Sequence, residues 1–180
     1  MDVVLAAIAL SAQAPPAPTP SELGRAPKLD VQLFLGPGTR IRFESPKKDW
    51  QLVSGGAVAI VSVAQRTGQA AVVVERTKLN TVLAPEDITD LFAQIEADNV
   101  KEQQPAAVDV QAKLIAVDKR RLVITTYFRR GVAGPERVRQ YSIPVGSDLY
   151  RLTCSAATPQ FTRYESVFAH VAATFATGTN

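Results

Sequence analysis

The sequence predicts an α+β domain built on an antiparallel sheet of about six to seven strands, with helices packed against the sheet. Short β-branched runs bounded by turn residues occur in the first half of the chain and again in the second half. Two amphipathic segments, one between these groups of runs and one near the end, have the periodicity of helices. Helices segregated from strands in this order are typical of an α+β layered fold.

The first group of strands opens with a predicted hairpin. Val31 to Leu35 has the alternation of a short strand, Gly36-Pro37-Gly38 is a turn signal, and Arg40 to Phe43 forms the second arm. Pro46 then breaks the strand, because proline has no N–H to donate to a sheet. Two further buried strands are predicted at Ala57 to Ala64 and at Ala71 to Thr77, with turns at Ser54-Gly55-Gly56 and Gly68.

The first helix is predicted to run from Pro85 to near Glu102 and to stop before Pro105. Proline suits the first helical position, and Glu86 and Asp87 then lie against the positive end of the helix dipole. The apolar residues at helical spacing, expected to form one stripe, are Ile88, Leu91, Phe92 and Ile95.

Four strands are predicted after this helix. Their connections are short, which predicts antiparallel neighbours arranged as a meander. The strands are Val108 to Val117, Leu122 to Phe128, Glu136 to Ile143 and Leu149 to Ser155, and the turns are Asp118-Lys119-Arg120, Gly131 to Pro135 and Val145-Gly146-Ser147-Asp148.

The last element is a predicted helix with an aromatic face. Thr158 is expected to be its N-cap, Pro159 its first residue and Gly178 its end. Residues at spacings of three and four form a stripe that is expected to lie on the sheet: Phe161, Tyr164, Phe168, Val171 and Phe175.

The N-terminal residues are predicted to lie outside this domain. Residues 1–14 are interpreted as a signal peptide, because the apolar run Val3 to Leu10 precedes small residues. Residues 15–28 are rich in proline and alanine and are interpreted as a flexible tether, which leaves 29–177 as a single domain. We therefore expect a secreted or periplasmic protein.

The leader departs from the usual pattern because no basic residue precedes its apolar run. Cleavage after Ala14 also puts Pro15 first in the mature chain, whereas cleavage after Ser11 avoids this. The alternative is a disordered cytoplasmic tail. The run of about eight apolar residues is too short to span a bilayer, so no transmembrane segment is expected in the mature chain.

The composition excludes several classes of function. A net charge of +3 is far from the dense basic stripe of nucleic-acid-binding proteins. The chain has one cysteine, Cys154, and one histidine, His170, which excludes internal disulfides, multi-cysteine zinc sites and paired-histidine chemistry. We predict no catalytic residue, no metal and no cofactor.

Four core and turn features between Arg40 and Phe175 resemble those of a known family. They are an opening strand followed by Pro46 and Trp50, a helix after the third central strand, the closing segment Asp148-Leu149-Tyr150-Arg151-Leu152-Thr153, and the aromatic final helix. These features are similar to the PsbP-like family, whose fold is shared with a Ran-binding import factor and small bacterial envelope proteins. The resemblance implies an α/β/α sandwich that serves docking or assembly without catalysis.

The candidate partner-binding residues are arginines on either side of the turn Gly131 to Pro135. Guanidinium groups suit carboxylates and phosphates, so the expected partner is an unknown protein or an anionic surface. The alternative is an edge hairpin that its charge keeps from aggregating. The residues are Arg129, Arg130, Arg137 and Arg139, with Lys119, Arg120 and Arg121 gathered at the other end of the sheet.

Three other residues are assigned ordinary structural roles. Cys154 is expected to be a buried thiol in the core, and Trp50 to anchor a loop against it. His170 is expected to face water, because its helical stripe is offset from the aromatic one.

The predicted function is that of a non-catalytic, exported binding or assembly module of the bacterial cell envelope, with protein docking favoured. The alternative is a binder of small hydrophobic ligands, with a pocket between the C-terminal helix and the sheet lined by Phe161, Tyr164 and Phe168.

Overall fold

The computed structural model describes residues 31–35, 41–53, 59–117 and 120–178. The predicted leader and tether, the turns at 36–38 and 54–56, and most of the turn at 118–120 lie outside the described residues. The elements are β1 Val31–Leu35, β2 Ile41–Pro46, β3 Trp50–Val53, β4 Ala59–Gln65, β5 Ala70–Leu83, α1 Asp90–Gln103, β6 Val108–Val117, β7 Arg120–Gly131, β8 Gly134–Ala157, α2 Phe161–Thr174 and β9 Ala176–Thr177.

The strands form two antiparallel sheets. The main sheet has the order β3-β4-β5-β8-β7-β6, and a small sheet has the order β1-β2-β9. Residues of β7 alternate between the two sides of the main sheet: Val123 and Tyr127 lie with residues of the α1 side, whereas Ile124 belongs to the cluster that contains α2. The helices therefore cover opposite faces, and the predicted α+β sandwich is confirmed.

Strand β8 folds back on itself. A straight strand of 24 residues would be roughly 75–80 Å long, yet Thr158 Oγ1 donates a hydrogen bond to the carbonyl of Pro135 at 3.2 Å. Its first half pairs with β7 and its second half with β5. The reversal lies at Gly146, which has a φ of 61°, a conformation that glycine adopts without strain. The predicted meander is thus confirmed.

The first helix differs from the prediction in its start and its buried face. Pro85–Asp87 forms a 3-10 turn, and α1 begins at Asp90. The predicted apolar stripe was wrong at Leu91 and Ile95, which are 66% and 48% exposed, whereas Ile88 is fully buried and Phe92 packs against the same cluster. The buried face consists of small residues and one carboxylate, which allow the helix backbone to approach the sheet: Ala93, Glu96, Ala97 and Val100.

The aromatic face of the last helix is confirmed, since all five predicted residues are buried. The predicted ends were wrong. Thr158 lies in a 3-10 turn, and its hydroxyl bonds to Pro135 rather than capping α2. The helix ends at Thr174, before Gly178, because Ala176 and Thr177 pair with β2 as strand β9.

No helix in the described part of the chain combines the length and the apolar character needed to cross a bilayer.

Candidate functional site

The structure brings the four predicted arginines together at the β7–β8 hairpin but divides them between the two faces of the sheet. Arg137 and Arg139 are two residues apart in β8 and lie on the face that α2 covers. Arg130 belongs to the same face by strand alternation. Arg129 lies opposite Glu136 on the other face. The sequence therefore predicted that the four arginines lie close together, but not that they are divided between the two faces of the sheet.

Two of these arginines are held by carboxylates. Arg129 Nε donates to Glu136 Oε2 at 3.0 Å, within the hairpin. Arg139 Nη2 donates to Glu165 Oε1 of α2, and the Arg139 side chain is only 13% exposed. Both guanidiniums therefore have internal structural partners.

The other two arginines keep their positive charge available. The Arg137 guanidinium lies 4.9 Å from the ring centroid of Phe161 and 5.9 Å from that of Phe128, which orients it by cation–π interactions. Arg130 is exposed, and the turn beside it presents a fully exposed Val132. No described carboxylate forms an ion pair with Arg130 or Arg137. We call these three residues, Arg130, Val132 and Arg137, the hairpin tip.

A cleft of about 230 Å³ lies at the opposite end of the main sheet, where β7 begins. Arg120 and Arg121 line it together with apolar residues. Arg120 Nη1 donates to the carbonyl of Phe175 at 3.2 Å, and Arg121 Nη1 to that of Ile88 at 3.5 Å. Lys119, predicted in the same group, lies outside the described residues. We call this feature the end cleft.

A buried charge network that the sequence did not suggest connects α1 to the sheet. Glu96 is 1% exposed and accepts hydrogen bonds from Arg151 Nη2 at 2.7 Å and Nε at 2.9 Å. Ser142 Oγ donates to the same carboxylate at 2.5 Å, and Asn99 Nδ2 donates at 3.2 Å. Burial raises the pKa of Glu96, but the hydrogen bonds from Arg151 and Ser142 outweigh burial and hold that pKa below its ordinary value. The carboxylate is thus ionised and structural.

The prediction that the single histidine faces water was wrong. His170 Nε2 lies 2.8 Å from Glu44 Oε2, and its side chain is 19% exposed, because β2 passes beside this part of α2. Trp50 is 5% exposed and meets Tyr164 edge to face, which confirms its role as an anchor.

Cys154 is fully buried, as predicted. Burial raises the pKa of its thiol, and the positive charge of Arg139 offsets only part of this rise. A thiol with a raised pKa carries little thiolate and is a poor nucleophile. The described residues contain no group of three or more histidine, cysteine or acidic side chains that could hold a metal ion.

The residues of the predicted ligand pocket form part of the core. Phe161 and Phe168 are fully buried and Tyr164 is 4% exposed. Their ring centroids lie 5.4 Å apart for Phe161 and Phe168, and 6.3 Å apart for Tyr164 and Phe168. The end cleft and a second cleft, which lies beside Glu44 and Thr174, are not lined by these rings. The geometry favours a filled helix–sheet interface over a pocket.

Comparison with known proteins gives similarity in structure alone. No family model matches the chain, and no curated protein matches it in sequence. The solution structure of cyanobacterial PsbP (CyanoP) from Synechocystis sp. PCC 6803 superposes with a TM-score of 0.60 and 15% identity, over 82% of this chain and 92% of that chain.

Two further solved structures have the same fold. The Saccharomyces cerevisiae Ran-binding protein Mog1p matches with a TM-score of 0.57 and 8% identity, over 83% of this chain and 96% of its own. LpqN, which is involved in cell envelope biogenesis of Mycobacterium tuberculosis, matches with a TM-score of 0.54 and 12% identity, over 87% of this chain and 95% of its own. The chain therefore has the PsbP-like fold.

Proposed function

We propose that this chain is a non-catalytic, exported binding or assembly module of the bacterial cell envelope, and that it docks a protein partner through the hairpin tip. The observation that carries the proposal is the pair of uncompensated guanidiniums beside an exposed valine. The fold is shared with a protein that binds Ran and with one involved in cell envelope biogenesis, which supports both parts of the proposal.

The use of the other charged groups also supports docking. Glu96, Arg139 and His170 all have internal partners that tie the helices to the strands. The hairpin tip differs from these groups, because the positive charges of Arg130 and Arg137 have no internal ion-pair partner among the described residues. Arg137 is oriented by two aromatic rings, so binding an acidic group there restricts less side-chain freedom than binding it to a free arginine. A partner with carboxylates around an apolar residue would match this surface.

Charge reversal at the hairpin tip tests the docking surface. With the exported form immobilised, we expect Arg130→Glu to reduce recovery of the partner from a host envelope extract about tenfold or more, because like charges then face each other. Arg130 is exposed, so the substitution is expected to leave the fold intact. Recovery is measured by quantitative mass spectrometry against the wild-type protein.

Arg76→Glu is the matched control, because Arg76 is also an exposed arginine but lies in β5, away from the hairpin. We expect it to recover the partner as the wild type does. If Arg130→Glu and the wild type recover the same proteins in the same amounts, docking at the hairpin tip is wrong.

Export is tested by the intact mass of the protein purified from its own host. We expect the loss of the first eleven to fourteen residues and recovery outside the cytoplasm. A full-length product in the cytoplasmic fraction would overturn the envelope part of the proposal. It would leave docking at the hairpin tip to be judged by the capture experiment.

A further inference from the structure

The end cleft has the composition of a second binding site, at the other end of the sheet from the hairpin tip. Its apolar walls come from segments that are far apart in sequence, including Leu83 of β5, Ile143 and Val145 of β8, and Phe175 after α2. Arg120 and Arg121 are adjacent in β7, so their side chains leave opposite faces of the sheet. The cleft therefore sits where the two faces meet, with a cation on either side.

Both guanidiniums are positioned without being neutralised. Each donates one hydrogen bond to a backbone carbonyl, of Phe175 for Arg120 and of Ile88 for Arg121. A guanidinium has five N–H donors, so each retains donors for a ligand. No carboxylate in the described ranges forms an ion pair with either arginine. An anion in the cleft would therefore have a guanidinium on either side, and guanidinium groups bind carboxylates through charge-assisted hydrogen bonds.

The size of the cleft selects among carboxylate ligands. Its volume of about 230 Å³ is below the roughly 300–1,000 Å³ of sites that enclose a drug-sized molecule, so it fits one residue of a larger partner. The apolar walls lie directly beside the cations. A C-terminal residue with an apolar side chain carries both required groups on one Cα atom, whereas an internal acidic residue carries the charge alone.

We propose that the end cleft binds the C-terminal carboxylate of a partner peptide whose last side chain is apolar. Arg120 and Arg121 hold the carboxylate, and the walls formed by Leu83, Ile143 and Phe175 receive the side chain. This site is separate from the hairpin tip, so the protein presents a binding surface at each end of its sheet.

The test uses the isotopically labelled full chain and three N-acetylated pentapeptides, with binding followed by NMR chemical shifts. The first peptide ends in leucine with a free carboxylate, and the second is the same peptide as a C-terminal amide. The third is an amide with glutamate placed before the leucine. We expect the first to bind and to shift the amides at the start of β7, and the other two to bind at least tenfold more weakly, since each lacks the charge-assisted contact at the terminus.

Substitutions identify the site. Arg120→Gln and Arg121→Gln are each expected to weaken binding of the free-acid peptide about tenfold, whereas Arg130→Glu at the hairpin tip is expected to leave it unchanged. The peptide series is measured on the wild-type protein, so it decides the proposal even where a variant fails to fold.

Two results would overturn the inference without affecting docking at the hairpin tip. Equal binding of the free acid and its amide, or no binding of either, shows that the cleft does not take a C-terminal carboxylate. Binding of the glutamate-containing amide as tightly as the free acid shows that any carboxylate suffices and that the terminus is not recognised.

Discussion

Replacing Glu96 with alanine is expected to destabilise the protein by about 3–5 kcal/mol, as measured by urea unfolding at pH 7. The substitution removes the carboxylate that pairs with Arg151, whose side chain is 15% exposed. The guanidinium then remains largely desolvated without its ion-pair partner, because Glu75, opposite it in β5, forms no ion pair with it, and the Ser142 hydroxyl loses its acceptor. The cost comes chiefly from the unpaired charge that is left behind rather than from the net strength of the ion pair.

The pH dependence of this loss identifies the ionised carboxylate as its cause. Burial raises the pKa of Glu96, but the bonds from Arg151 and Ser142 outweigh burial, so the folded-state pKa lies below the ordinary value of 4.5. A lowered pKa contributes stability that is fully present above the ordinary value and is lost as the pH falls through the folded-state value. The difference in unfolding free energy between wild type and Glu96→Gln is therefore expected to shrink below about pH 4.5.

Two further variants separate the effect of the unpaired buried charge from that of losing any ion pair on α1. Lys101→Ala removes an ion pair with Asp98 on the same helix, in which the side chains are 56% and 59% exposed, and is expected to cost less than about 0.5 kcal/mol. The double substitution Glu96→Met with Arg151→Met removes both charges and is expected to recover most of the stability. If the double variant is as unstable as Glu96→Ala, an unpaired charge is not the cause.

The parts of the fold that the sequence predicts are those whose signals are local. The β1–β2 pair, the meander and the aromatic face of α2 all follow from alternation, turn glycines or spacings of three and four within a short window. The grouping of the four arginines is also local, because two strands joined by a short turn place their flanking residues side by side. These features need no knowledge of distant parts of the chain.

The buried face of α1 is a tertiary property. Leu91 and Ile95 are more apolar than Ala93 and Ala97, so hydrophobicity alone selects the wrong face. The face that packs on the sheet is instead the one with the alanines, because small residues allow close approach. On that face Glu96 also pairs with Arg151, which lies 55 residues later in the chain. The available signal was Arg151 itself, which is the only charge between Leu149 and Ala157 in a strand of otherwise uncharged residues.

The end cleft is only partly visible in the sequence, which places Arg120 and Arg121 at this end of the sheet but has no pattern for the apolar walls. It assembles the end of β5, the start of β7, the reversal of β8 and the residues after α2, which lie up to about ninety positions apart. The contact between His170 and Glu44 is similar, since 126 residues separate the two. Clefts and contacts of this kind can be identified only when the sheet order is known, because they depend on which strands and helices lie side by side.

Replacing Phe168 with alanine is expected to destabilise the protein by about 3–5 kcal/mol and to lower its Tm by roughly 10–15 °C. The ring is fully buried against those of Phe161 and Tyr164, so truncation removes transfer free energy and leaves a cavity. Phe168→Leu retains most of the volume and is expected to cost roughly 1.5 kcal/mol or less. Leu91→Ala, at an exposed position of α1, is the control and is expected to change the unfolding free energy by less than about 0.5 kcal/mol.

The same variant decides between a filled interface and the pocket for hydrophobic ligands that the sequence left as an alternative. If the interface is filled, benzene is expected to raise the Tm of Phe168→Ala, because an apolar cavity of this kind stays dry and binds small apolar molecules, and to leave the wild type unchanged. A wild-type protein whose Tm rises with benzene, together with a Phe168→Ala variant that loses less than about 1 kcal/mol, would establish existing space between α2 and the sheet. Phe161, Tyr164 and Phe168 would then line a ligand site, and the protein would have this site in addition to its docking surface.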